Sequence, residues 1–163
     1  MEKEIKFEGE YLNGKRHGKG KEYYYNGKLE FEGEYLNGER HGKGKEYDYK
    51  DGKLIFEGEY LNGEKNGKVV EYYDNGKIEF KGEYLKGKRW NGKRYNNSGN
   101  LDFKLKNGNG KIKEYYGDIL IFEGEYLNGE KNGKGKEYSS VLEDKIIFEG
   151  EYLNGAKNGK GKE

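Results

Sequence analysis

Nine basic side chains and a lone tryptophan crowd one part of this sequence. Lys86, Lys88, Arg89, Lys93, Arg94, Lys104, Lys106, Lys111 and Lys113 lie between residues 84 and 113, where Asp102 is the one acid. That stretch therefore carries +8. The whole chain carries +1, which leaves −7 for the remainder. Lys86, Lys88, Arg89, Lys93 and Arg94 flank Trp90 and Tyr95, a pattern of cations beside aromatics that suits an anionic partner. A phosphoinositide headgroup, an acidic peptide and nucleic acid all share that chemistry. An anionic membrane surface is the expected partner of this zone, and nucleic acid is not expected. The alternative is a solvated run of charge, with Trp90 plugging an irregularity in the fold.

Other residues invite chemistry and do not support it. His17 and His41 occupy the same turn position one repeat apart, so stacked strands would hold them roughly 10 Å from each other. A zinc ion sits about 2 Å from each ligand, so the pair is read as turn residues, and Asn66, Asn132 and Asn158 fill the equivalent places. The Gly-Lys-Gly-Lys runs at 18–21, 42–45, 133–136 and 159–162 lack the Gly-Lys-Ser/Thr of a phosphate loop and enter a strand where such a loop enters a helix. Serine occurs at Ser98, Ser139 and Ser140, each without a nearby His or Asp arrangement. The glutamates are expected on an outer face opposite lysines, in no enclosed cleft, which leaves no acid–base pair with separated pKa values. Cysteine is absent, so thiol chemistry and disulfides are excluded. No enzyme activity, metal or cofactor is expected.

The elements that carry these side chains come from one repeated phrase. Phe-Glu-Gly-Glu-Tyr-Leu-Asn-Gly stands at 7–14 and returns at 31–38, 56–63, 122–129 and 148–155, and with two lysine replacements at 80–87. Counting from each phenylalanine, the repeats run 7–30, 31–55, 56–79, 80–102, 103–121, 122–147 and 148–163. Phe, Leu, Ile and Val make up only 30 of 163 residues, a content associated with disorder. The balanced charge and the 17 tyrosines, most at fixed repeat positions, argue instead for a folded chain, because aromatic rings bury much area per residue.

Within a repeat the pattern has period two. Phe7, Gly9 and Tyr11 point one way, Glu8 and Glu10 the other. Residues 13–18 read as a turn, Lys19–Tyr25 as a return strand, and Asn26-Gly27 as the turn to the next repeat. Pairing Leu12 near Lys19 would set Glu10 opposite Lys21. Gly9 and Gly20, inside strands, suggest rings lying across bare backbone. A lone hairpin is unstable and stacking buries what it cannot. The expected architecture is all-β: a single elongated solenoid of about seven stacked antiparallel hairpins. An aromatic ladder of Phe7, Tyr11, Phe31, Tyr35, Phe56, Tyr60, Phe80, Tyr84, Phe122, Tyr126, Phe148 and Tyr152 would pack the stack and wall a concave groove suited to a peptide or helix.

The motif aromatic-x-Gly-x-aromatic, x-x-Gly, Gly-x-Gly at Phe7, Gly9, Tyr11, Gly14, Gly18 and Gly20, and again at Phe31, Gly33, Tyr35, Gly38, Gly42 and Gly44, resembles the MORN repeat in its variant form. The resemblance covers essentially the whole chain. It implies a curved solenoid of hairpins with a non-enzymatic role, such as a scaffold, an oligomerisation module or a membrane–cytoskeleton linker. Val69-Val70 in the third repeat, the 88–95 turn of the fourth and Phe103-Lys104-Leu105-Lys106 in the fifth depart from it, and a kink or shortened hairpin is expected in the fourth and fifth.

A protein partner held by a non-catalytic scaffold is thus the leading expectation, and an anionic-membrane adaptor the second. A homodimer through the terminal edge strand is also compatible with the pattern. Tyr-Tyr-Asn-Gly-Lys hairpins resemble cell-wall carbohydrate-binding arrays too, but those rely on recurrent Trp. With no apolar leader and no membrane-spanning run, a cytoplasmic location is expected.

Overall fold

The computed structural model describes residues 6–116, 119–142 and 145–163. The first five residues, read above for a leader, and part of the 139–146 connection lie outside that set. The described residues form fourteen strands and no helix. They divide into two compact modules, Met1–Lys88 with Asn97–Gly99 and Arg89–Asn96 with Asn100–Glu163. The first module holds β1 (Phe7–Leu12), β2 (Lys15–Tyr23), β3 (Leu29–Leu36), β4 (Glu39–Tyr47), β5 (Leu54–Leu61), β6 (Glu64–Tyr72) and β7 (Ile78–Leu85). Each is antiparallel to the next. The second module holds β8 (Lys88–Tyr95) paired with β9 (Leu101–Leu105). It continues with a five-stranded sheet of β10 (Gly110–Tyr116), β11 (Ile119–Leu127), β12 (Glu130–Tyr138), β13 (Ile146–Leu153) and β14 (Ala156–Lys162), in chain order. The all-β hairpin architecture is as expected.

The register differs from the expected one. Leu12 pairs with Lys15, so the turn is only Asn13-Gly14. Both residues have positive φ, 51° and 75°, the conformation of a two-residue hairpin turn whose twist matches its strands. The return strand therefore starts at Lys15, and Glu8, not Glu10, faces Lys21. Glu10 lies opposite His17, because Gly18 and Lys19 form a bulge in β2. Gly18 has φ 65° there, and the Glu10 carboxylate accepts the Lys19 N–H at 3.1 Å. Glu125 does the same for Lys134 at 3.0 Å. In these two repeats the second glutamate thus ties down its own bulge. The first accepts a tyrosine hydroxyl from the return strand, as in Tyr47 to Glu32 at 2.6 Å. Burial and that hydrogen bond push the Tyr47 phenol up to about 12.

Successive turns also join. The Gly38 N–H donates to the Arg16 carbonyl, Gly63 to Arg40 and Gly87 to Lys65, each at 2.9 Å. Asn occupies the left-handed position before most of these glycines, but the fourth repeat has Lys86 there, at φ 49°. Left-handed backbone costs an ordinary L-residue about 1–2 kcal/mol, and asparagine is among the few that tolerate it. Lys86→Asn is expected to stabilise the protein by about 0.5–1 kcal/mol, visible as a higher urea midpoint at unchanged slope. A lower midpoint would mean that the lysine side chain contributes a contact worth more than the strain.

The core is one side chain thick. Phe31 is fully buried, although it lies on a single sheet. Its ring spans Gly33 and Gly44, where a Cβ would fall 2.6 and 2.5 Å from ring carbons. Tyr35 and Tyr60 stand edge-on against it, with centroids at 5.6 and 5.4 Å, and the Arg40 guanidinium caps it at 4.1 Å. The ring is thus enclosed by backbone, two phenols and a cation. Phe122 repeats the arrangement in the second module, with Tyr152 at 5.4 Å and Lys131 at 4.0 Å.

Candidate functional site

The aromatic ladder and the charged rows occupy opposite faces of each sheet. Phe31, Phe56, Phe80 and Phe122 are fully buried, Tyr35, Tyr60, Phe148 and Tyr152 are buried, and Phe7, Tyr84 and Tyr126 are partly so. Tyr11 alone of the ladder is exposed. Most of these rings serve as packing, and Tyr35 also lines a shallow hollow with His17 and His41.

Acids on the ring face went unrecognised in the sequence. Glu22 lies on that face opposite Phe31. It accepts from Arg16 at 2.8 Å, Arg40 at 2.9 Å and the Tyr35 hydroxyl at 2.7 Å. Burial pushes the Glu22 carboxyl up, but the hydrogen bonds from Arg40 and Tyr35 and the two guanidinium charges outweigh it and hold it below its ordinary value. Glu46 repeats the knot with Tyr60 at 2.8 Å, Arg40 at 3.1 Å and Lys65 at 2.7 Å. In the second module Glu114 takes Tyr126 and Lys131. Each knot ties one repeat to the next. Its signal was present in the chain: a base two residues after the Asn-Gly that follows each intact Phe-Glu-Gly-Glu-Tyr-Leu, and an acid just before the tyrosine that ends the return strand.

The basic zone is less open than its charge suggests. Arg94 is buried and ion-paired with Asp102 at 2.5 Å, their side chains 5% and 9% exposed. It also lies 4.3 Å from the Tyr115 ring centre. By register Arg94 sits opposite Phe103 just as Glu22 sits opposite Phe31. The knot is thus inverted in sign here, and Arg94 is withdrawn from any surface site. Trp90 is half-buried, its carbonyl accepts the Gly108 N–H at 2.7 Å, and its ring lies where a Gly108 Cβ would stand. It serves as a plug. Arg89 and Tyr95 are half-buried, while Lys86, Lys88 and Lys93 are exposed. Lys93 lies directly opposite Lys104 across the β8–β9 pair.

The irregularity falls in the fifth repeat. β9 and β10 share only the bridge Lys106↔Asn109, and Phe103, Leu105 and Ile112 form a small core of their own. Beside that break, on the charged face of β10–β14, runs a cleft of 660 Å³. Gly124, Gly135 and Gly150 line it as one cross-strand row, since Gly124 pairs with Gly135 and Gly135 with Gly150. Lys111, Lys113, Lys134, Lys136 and Lys160 stand among Glu123, Glu125, Glu149 and Glu151, and Asp102 and Phe103 also line it. The glutamates, expected on an outer face and in no enclosed cleft, line this open one. In the first module, Leu12, Leu36, Leu61 and Leu85 are exposed beside their turns. His17 and His41 also lie in that module, and no group of three or more His, Cys, Asp or Glu among the described residues is placed to hold a metal. No helix of the described residues is long and apolar enough to cross a membrane.

Antiparallel hairpins that repeat one ring-over-glycine packing scheme define a β-hairpin repeat protein. The chain belongs to the MORN repeat family, whose model matches residues 7–28, 31–53, 56–78, 122–140 and 148–163. The matches leave out the fourth and fifth repeats, where Arg94 inverts the knot and the strand ladder breaks. A search of curated proteins finds no significant match. MORN repeats are generally associated with membrane, phospholipid or protein binding.

Proposed function

We propose that this is a non-catalytic protein-binding module that holds a segment of a partner along the cleft of the second module. The cleft carries the reading. Glycines in its lining bring backbone close to an occupant, and alternating lysines and glutamates offer charge-assisted hydrogen bonds to main chain and side chains. Quantitative capture from native lysate tests it, with wild type beside Lys111→Glu/Lys134→Glu. A partner retained by the wild type and lost by the double variant supports the reading. An unchanged partner set contradicts it.

One observation favours a second reading, an anionic surface. Lys93 and Lys104 face each other on exposed positions, and like charges directly opposite are unfavourable for the pair itself. An anion between them relieves that cost. Binding to vesicles of phosphatidylserine and phosphoinositide is then expected to weaken steeply with salt, and Lys93→Glu/Lys104→Glu to abolish it. Binding that ignores both salt and the substitutions would remove this reading and leave the cleft.

A further inference from the structure

We propose that Tyr25 and Tyr49 are a site of oxidative cross-linking, at which a one-electron oxidant staples the first repeat to the second. The two phenols are hydrogen-bonded through their oxygens at 2.5 Å, with ring centres 5.3 Å apart and planes inclined by 40°. The oxygens are closer than the ring centres, so the rings converge toward their hydroxyl ends. The carbons ortho to oxygen, where phenoxyl radicals couple, are on that converging side. Tyr25 is 72% exposed and reachable by an oxidant.

The turns that carry the pair are strapped together. Tyr24 donates its hydroxyl to the Tyr47 carbonyl at 2.8 Å and stands edge-on to Tyr49 with centroids at 5.2 Å. Asn26 donates to the Tyr49 carbonyl at 3.3 Å, and the Lys28 ammonium to the Lys50 carbonyl. The rings are held as neighbours by contacts that do not involve their own hydroxyls.

The step balances with a peroxidase and hydrogen peroxide as the oxidising system. Each phenol gives up one electron and one proton. The two radicals form a single ortho–ortho carbon–carbon bond. The hydrogens on those carbons then move to the oxygens, which restores two aromatic phenols. Peroxide takes up the two electrons and two protons and leaves as two waters. The protein loses two hydrogens in all.

The test treats the full chain with a haem peroxidase and limiting hydrogen peroxide at low protein concentration. Dityrosine fluorescence is expected in the monomer fraction. Tryptic peptide mapping should join Glu22–Lys28 to Glu46–Lys50, with the mass short of two hydrogens. Tyr25→Phe and Tyr49→Phe should each lose that linked peptide. Tyr116→Phe should keep it, although Tyr116 is also 72% exposed; that variant separates proximity from exposure. The stapled monomer should melt at a higher temperature than the untreated protein. Linkage only between molecules, linkage at other tyrosines, or an unlinked pair in protein whose other tyrosines have reacted would each overturn the proposal.

Discussion

Gly33→Ala is expected to cost about 3 kcal/mol or more, and Gly44→Ala about 1 kcal/mol, although the two glycines face each other across one strand pair. The difference lies in what each new methyl meets. At Gly33 it would fall 2.7 Å from the Lys43 carbonyl oxygen and 2.8 Å from the Gly44 Cα, as well as against Phe31. Backbone of a paired strand cannot yield without breaking ladder hydrogen bonds. At Gly44 the neighbours within reach are ring carbons of Phe31 and Tyr60, and rings can slide. The third repeat has made that adjustment. Val69 stands opposite Gly58 where the other intact repeats have glycine, and it is buried. The Phe56 and Tyr84 centroids there are 6.3 Å apart, against 5.4 Å for Phe31 and Tyr60. Urea unfolding of the two variants checks the order. Equal losses would mean that the ring, not the paired backbone, sets the demand for glycine.

The second large effect concerns Glu22. Glu22→Gln keeps the shape and removes the charge that Arg16, Arg40 and Tyr35 share. Hydrogen bonds to charged groups contribute about 1.5–3 kcal/mol each. The charged side chains of the knot are 17–35% exposed, so solvent screening sets the expected loss at the lower end, about 2 kcal/mol at neutral pH. The variant should also change the pH dependence. The folded carboxyl is held below its ordinary 4.5. Its contribution is therefore fully present above that value and is lost as pH falls through the lower folded value. Wild type should lose stability on acidification below 4.5 more steeply than Glu22→Gln, and the two curves should converge at the acid end. Parallel curves would show that the carboxyl has the same proton affinity folded and unfolded.

Period two, recurring Asn-Gly and strand glycines made the hairpins legible in the sequence, down to rings lying over bare backbone. The register was not legible, because Gly18 reads equally well as a turn residue or a bulge residue; only the pairing of Leu12 with Lys15 separates the two. The two glutamates of Phe-Glu-Gly-Glu were placed on the correct face but given one role. Glu8 accepts from Tyr23 at 3.0 Å, while Glu10 anchors a bulge. Arg94 shows why a count of charges overstates a surface. Its partner Asp102 is eight residues away, and the shortened fourth repeat turns the guanidinium inward. The cleft could not be foreseen, since it depends on the point where β9 and β10 stop pairing.

Because the chain contains no cysteine, a single cysteine carrying a photo-activated cross-linker can be placed at will. Lys134→Cys puts the label in the cleft, and Lys50→Cys puts it on a turn of the first module, outside the cleft. Irradiation of the captured complex should join the partner protein to position 134 and leave position 50 unlinked. Linkage from position 50 alone, or from neither while the partner stays bound, would contradict a cleft that holds the partner.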